Sequence, residues 1–196
     1  QIKSGCEVIV VADPEGQAAA RNLPVAGALK LLPQRTPNIS AARNAGIATA
    51  AGDIVAFLDD DAVPEPTWSQ AILNRFSGSD LAAVTGPVLG RNGISLQWAP
   101  LAVNALAEDV PTGSDTPIRD GFARKLQGTN MAITRGALQH IGGFDEALHF
   151  YLDDTDMSLR IAQSGLRTAW VASAVVHHGF EASSRRTAEI KKQTRI

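Results

Sequence analysis

Residues 54 to 58, Ile-Val-Ala-Phe-Leu, run without interruption into Asp59, Asp60 and Asp61. An apolar run of that length, with β-branched and aromatic members, reads as a strand buried on both faces of a parallel sheet. In open α/β sheets the ligand crevice lies beyond the carboxyl ends of such strands, and the three acids stand at that end. Extended backbone sends Asp59 and Asp61 to one side and Asp60 to the other. Two carboxylates so placed can hold Mg²⁺ or Mn²⁺, cations that keep positions open for substrate phosphates when bound through one or two carboxylates. Taken alone, an Asp-x-Asp reads more readily as a solvated acidic turn.

With 196 residues and 44% apolar content, the chain can bury one sizeable core, so a single domain is expected over 1–196. No stretch approaches the length of a membrane span, and the N-terminus has no basic start followed by an apolar signal core. The single cysteine, Cys6, falls on a predicted strand, which excludes an internal disulfide and fits a reducing, cytoplasmic compartment. A net charge of −2 argues against nucleic acid as a partner. The acidity is uneven, because Arg185, Arg186, Lys191, Lys192 and Arg195 outnumber Glu181 and Glu189 in the tail. Such a tail fits either a solvated terminal helix or a contact with anionic lipid or a neighbouring subunit.

The remaining pattern alternates strands and helices. Strands are expected at Glu7–Ala12, Ala28–Leu32, Asp53–Leu58 and Leu81–Val88, with helices at Asn38–Ala51 and Thr67–Phe76. That βαβ rhythm predicts a doubly wound, mostly parallel sheet with helices on both faces. From Arg91 to Arg124 the periodicity fades, and a functional excursion with little regular structure is expected. A strand at Gln127–Thr134, helices at Arg135–Ile141 and Asp154–Ser164, and one or two strands within Arg167–Val176 complete the chain. The first half, to about residue 90, reads as nucleotide-binding, and the second as acceptor-binding.

Several motifs occur in a telling order: Glu7 to Asp13, Ser40-Ala41-Ala42-Arg43-Asn44-Ala45-Gly46, Gly52 to Asp61, and Pro64-x-Pro66-x-Trp68. They are followed by Gly128-Thr129-Asn130-Met131, Gly142-Gly143-Phe144-Asp145-Glu146, Asp153-Asp154-Thr155-Asp156 with Leu159-Arg160, and Val175-Val176-His177. Together, over residues 7 to 178, the set resembles the family 2 glycosyltransferases. The resemblance implies a GT-A fold, a nucleoside-diphosphate sugar donor, a saccharide, lipid-linked or other hydroxyl acceptor, a divalent cation and inversion at the anomeric carbon. Family members usually carry a further strand before the one at Glu7, so Val8 to Val11 are expected beside an unfilled edge. Where the family has a Glu-Asp pair before its catalytic helix, this chain has Asp153-Asp154.

Roles follow from the chemistry together with this resemblance. Charge on a departing diphosphate needs neutralising, and a metal bridging its oxygens does so. Asp61 is the candidate holder of that metal, with Asp59 in support. By resemblance, Asp59 or Asp60 faces the donor ribose or sugar, and Asp13 reads the base or ribose unless it is only a turn residue before Pro14. Arg43 falls near the diphosphate or nucleobase, or on a solvent-facing helix side, and Asn44 ties its helix to a neighbouring loop. An alcohol is a poor nucleophile until its proton is being removed. Asp154 occupies the family's base position at a helix start, which favours the ionised carboxylate; Asp153 is the alternative base, and an N-cap is Asp154's structural role. Gly128 and Asn130 fit a close approach to the donor sugar or an ordinary strand entry. His177 is similar in place to the family's third metal or diphosphate contact, with His178 as its neighbour. Trp68 and Phe144 are expected in the core, while Trp98 could stack on an acceptor.

Two other functions fit parts of the pattern. Asp59-x-Asp61-x-Val63 also satisfies the motif of haloacid-dehalogenase-like phosphohydrolases, whose first Asp accepts a phosphoryl group. That family places the motif on its first strand, whereas here two predicted strands precede it. A non-catalytic or truncated sugar-nucleotide-binding domain is the other alternative.

Overall fold

The computed structural model describes residues 6–22, 28–90 and 92–179, so the basic tail, with its expected membrane contact, lies outside the described residues. Glu7–Ala12 forms β1, and Pro14–Ala20, a helix not anticipated from the sequence, forms α1. Strand β2 (Ala28–Pro33) runs parallel to β1, and α2 (Ile39–Thr49) packs on β1. Glu7 fixes the start of β1: its carboxylate meets Lys30 at 2.7 Å and accepts from the backbone N–H groups of Ala51 and Gly52. The Lys30 bond, then the Ala51 N–H, hold its pKa below the ordinary 4.5, so this tie is intact at neutral pH and is released only on acidification.

Strand β3 (Ile54–Phe57) carries the acids at its carboxyl end, and β4 (Ala62–Pro64) continues beyond them. Helix α3 (Trp68–Phe76), strand β5 (Leu81–Thr85) and strand β6 (Val88–Gly90) follow. The segment expected to be irregular is instead built from strands: β7 (Leu96–Trp98), β8 (Leu101–Asn104), β9 (Asp109–Pro111) and β10 (Phe122–Arg124). Each has only three or four residues, too few for a period-two pattern to declare itself. The chain closes with β11 (Met131–Thr134), α4 (Arg135–Ile141), α5 (Asp153–Gln163), β12 (Arg167–Trp170) and β13 (Val176–His178).

The sheets are mixed, because β11 enters antiparallel between β3 and β5 in the order β12-β5-β11-β3. A second sheet has the order β4-β13-β6-β7, and a third β10-β8-β9. Among the described residues, β1 bonds only β2, and β3 bonds only β11. With one ladder partner, β3 is an edge strand and its residues are only partly covered, apart from the buried Phe57. No helix among the described residues is long and apolar enough to cross a membrane.

Two apolar clusters sandwich the β12-β5-β11-β3 sheet. One gathers Phe57, Met131, Ile133, Leu138, Phe144, Met157 and Ile161 under α4 and α5. The other gathers Trp68, Ile72, Val84, Ala132 and Val176 under α3. Trp68 and Phe144 are core residues, as their neighbours in sequence suggest, and Phe144 meets Phe57 edge-to-face at 5.3 Å.

Asn130 joins the second cluster to the sheets and is only 1% exposed. Its side-chain oxygen accepts from Trp68 Nε1 at 2.9 Å, and its amide donates to the carbonyls of Pro87 and Ala174. Every polar atom of the side chain is thus spent on the scaffold, and none is left to face a donor sugar. Asn130→Ala would leave the Trp68 Nε1 donor and the Ala174 carbonyl without these partners, while the Pro87 carbonyl keeps its bond from Val176 N–H, and each such unpaired buried group costs about 1–3 kcal/mol. A loss of at least about 2 kcal/mol in urea unfolding, with the m-value unchanged, is the expected result.

Candidate active site

The register of the second sheet determines which histidine meets the acids. Antiparallel β4 and β13 pair Ala62 with His178 and Val63 with His177, and Gly179 N–H donates to the Asp61 carbonyl. His178 therefore lies beside the residue preceding Ala62, which is Asp61. The strand's alternation turns His177 to the other face, where Nε2 meets Glu65 at 3.1 Å. His178, not His177, is the ring brought to the aspartates: its Nε2 lies 3.0 Å from Asp61 Oδ1 and 3.7 Å from Asp59 Oδ2.

One ligand atom each from Asp59, Asp61 and His178 lie within 4.8 Å of one another. Asp59 and Asp61 do reach one place, but across a turn closed by a 3.1 Å bond from Ala62 N–H to the Asp59 carbonyl and not along the extended backbone expected, and Asp60 is exposed. The other His178 nitrogen, Nδ1, is 3.1 Å from Gln97 Oε1. A proton on Nδ1 donated to Gln97 leaves the Nε2 lone pair facing the two carboxylates. Gln97 carries no sequence signal, since it sits on a three-residue strand in the unpatterned region. Two carboxylate oxygens and one imidazole nitrogen form a fitting donor set for a divalent cation, and the imidazole favours Mn²⁺ over the harder Mg²⁺.

The turn from Gln127 to Asn130, closed by a 2.8 Å bond from Asn130 N–H to the Gln127 carbonyl, connects this cluster to the start of α5. Thr129 Oγ1 donates to Asp59 Oδ2 at 2.6 Å, while Gly128 N–H donates to Asp154 Oδ2 at 3.1 Å. One turn thereby aims the carboxylates of both halves. Asp153 and Asp154 are the first two residues of α5, and the N-cap is Leu152, not Asp154. Asp154 keeps one carboxylate oxygen on Gly128, and Ser158 Oγ donates to its backbone carbonyl at 2.6 Å.

Arg43 lies between the two groups of acids. Its guanidinium pairs with Asp153, stands 3.7 Å from Asp59 and rests over the Phe144 ring at 5.2 Å. Burial lowers its pKa, and the charges of Asp59 and Asp154 act against that shift. Of the positions expected, the solvent-facing helix side is not the one it takes: the side chain is buried as a counter-ion between these acids. The turn passes close to the guanidinium at Gly128, where a Cβ would come 2.7 Å from Arg43 Nη2.

The rest of the Ser-Ala-Ala-Arg-Asn motif ties α2 to the segment leading into α5. Asn44 exchanges bonds with the backbone of Phe144, Ser40 Oγ donates to the Leu148 carbonyl, and Asn38 caps α2 while donating to the Glu146 carbonyl. Gly143, at φ +76°, passes close to Asn44, with only 2.7 Å available between a Cβ and Asn44 Oδ1. Asp156 is occupied by Arg160, whose guanidinium also donates to the carbonyls of Ile141 and Gly143. Asp13, at the end of β1, caps α1 by accepting from Gly16 N–H at 2.8 Å. Trp98 lies in β7 with the Lys125 ammonium 5.8 Å from its ring centroid.

The fold itself identifies the class. The chain superposes on a solved structure of GalNAc-T7 with UDP, GalNAc and Mn²⁺, with a TM-score of 0.69, 17% identity and coverage of 89% of this chain and 38% of that one. That architecture is the GT-A glycosyltransferase fold. Residues 3–195 match the family described as glycosyltransferase like family 2, and the chain belongs to that family. It is 28% identical over 152 residues to the pre-mycofactocin glycosyltransferase of Mycobacterium tuberculosis, covering 74% of this chain and 31% of that protein. It is 30% identical over 159 residues to the O-antigen chain rhamnosyltransferase WbaN of Salmonella anatum, covering 76% of this chain and 48% of that protein. The chain thus spans less than half the length of these two relatives.

Proposed function

We propose that the chain transfers a sugar from a nucleoside-diphosphate sugar to an acceptor hydroxyl, with inversion and with the help of a divalent cation, Mn²⁺ before Mg²⁺. The observation that carries this reading is the single turn at Gly128 and Thr129, which bonds a carboxylate of the Asp59-Asp61-His178 cluster on one side and Asp154 on the other. A cation held by Asp61, Asp59 and His178 would offset charge on the leaving diphosphate. Thr129 orients Asp59, and Gln97 orients His178. Asp13 and Asp60 are the remaining carboxylates for the base or ribose of the donor. Asp154 takes the acceptor proton as the hydroxyl oxygen attacks, and one such displacement inverts the anomeric centre. Asp153, bonded to Arg43, positions the site and is not the base.

In this reading the nucleotide-sugar half runs to about residue 90 and the acceptor half from there to about 180. The family match favours this reading over a phosphoaspartyl mechanism.

The test is incubation with a panel of nucleoside-diphosphate sugars, Mn²⁺ and hydroxyl acceptors, following diphosphate release and product configuration by proton NMR. One donor should give acceptor-dependent release and an inverted linkage. Tight nucleotide binding with no turnover would favour a binding domain, and a retained configuration would remove the single-displacement mechanism. Gln97→Leu should weaken Mn²⁺ binding about 10- to 100-fold while leaving the melting temperature near its original value, because it removes the Nδ1 partner of His178 without touching a ligand. Mn²⁺ titration monitored by water proton relaxation checks this.

A further inference from the structure

A second cleft, of about 540 Å³, opens between the end of α5, strand β12 and the loop that joins β9 to β10. It is separate from the candidate active site: Asp154 stands at the start of α5, whereas Ala162 on the cleft wall is near its end, about 12 Å away at the α-helical rise. Three guanidiniums line the cleft, from Arg75, Arg124 and Arg167, against one carboxylate, Asp115.

Arg124, in β10, is only 6% exposed. Two of its nitrogens donate to the carbonyls of Gly113 at 3.4 Å and Thr116 at 3.1 Å, which ties the loop to the strand. Its Nε is buried with no partner. Neutral carbonyls hold the loop without neutralising the charge, and among the described residues no carboxylate forms an ion pair with Arg124. Burial lowers its pKa, and Asp115 opposes that shift only through its charge. Buried charges are ordinarily paired. Arg167 does have a partner, Asp80, but both side chains are more than half exposed, and pairs of that kind are weak enough to be exchanged.

We propose that this cleft is an anion site in which Arg124, with Arg75 and Arg167, receives a phosphate group, either free or carried by a small organic molecule. A guanidinium presents its donors in a planar fork that matches phosphate oxygens. Three cations against one acid on the wall suit a dianion better than a singly charged carboxylate. The volume is that of a small-molecule site and leaves room beyond the phosphate for an organic body.

The experiment is isothermal titration of inorganic phosphate and of glucose 6-phosphate into the protein in EDTA, with sodium chloride of equal ionic strength as the control. Wild type should bind both phosphates saturably at one site and show no such response to chloride. Tighter binding of the ester identifies a phosphorylated small molecule as the occupant, and equal affinity identifies free phosphate. Arg75→Gln, at an exposed position of α3, should weaken binding at least about tenfold with the melting temperature unchanged. Arg124→Gln should abolish binding; should that variant fail to fold, Arg75→Gln decides. Asp61→Ala should bind both phosphates as wild type does. Absence of saturable binding by wild type, full affinity in Arg75→Gln, or loss of binding in Asp61→Ala, which would place the phosphate at the metal cluster, would overturn the inference.

Discussion

Asp154→Asn should leave the protein folded and able to bind donor, yet turn over about 10²- to 10⁴-fold more slowly, the usual contribution of a positioned general base. Asparagine has the size of aspartate, and its side-chain oxygen can still accept from Gly128 N–H, the bond Asp154 makes at 3.1 Å. What it cannot do is take a proton from the acceptor. The loss should therefore appear in kcat, with little change in donor KM or in melting temperature. Asp153→Asn is the comparison. Asp153 is 5% exposed and is paired with Arg43, so its replacement should cost far less activity and act through the position of the guanidinium. The reverse order of effects would move the base to Asp153.

Arg43→Met should be the most destabilising single change in the site. The Arg43 side chain is 10% exposed, and its partners Asp153 and Asp59 are 7% and 29% exposed. Removing the cation leaves the buried Asp153 carboxylate without its partner beside a partly exposed Asp59, and breaking a buried ion pair from one side costs about 3–5 kcal/mol. Methionine preserves most of the volume and the packing against Phe144, so the loss isolates charge from cavity formation. Adding Asp153→Asn should restore a large part of the stability, and a double-mutant cycle in urea gives the coupling directly. Independent, additive effects would show that Arg43 serves mainly as packing.

How far the sequence could be read is itself explained by these contacts. The strand-then-acid pattern at residues 54–61 and the acidic start of α5 were legible, because each depends on neighbours in sequence: a local apolar run, a helical period and a local cluster of charge. Asn44 was legible too, as a tie between α2 and a loop. What escaped depends on register and distance. His177 and His178 are adjacent in sequence, and only the pairing of β13 with β4 decides which one meets Asp61. Asn130 sits in a motif that suggests a ligand contact, but Trp68, which is 62 residues away, claims its side chain. Thr129 and Gln97 are ordinary residues until the fold puts them against Asp59 and His178. Strands β7 to β10 are too short to show alternation, and β10 is held by β8 across an intervening strand and loop.

The central claim is that Asp59, Asp61 and His178 hold a divalent cation that in turn holds the donor diphosphate. Isothermal titration of a nucleoside diphosphate, with Mn²⁺ and with a chelator, into wild type and Asp61→Ala tests it most directly. Asp61 is 45% exposed at its side chain and takes no part in the core, so its loss should leave the fold intact. Wild type should bind the diphosphate only with Mn²⁺, and Asp61→Ala should not bind it measurably under either condition. Equal affinity in the two proteins, or undiminished binding by wild type in chelator, would contradict the account.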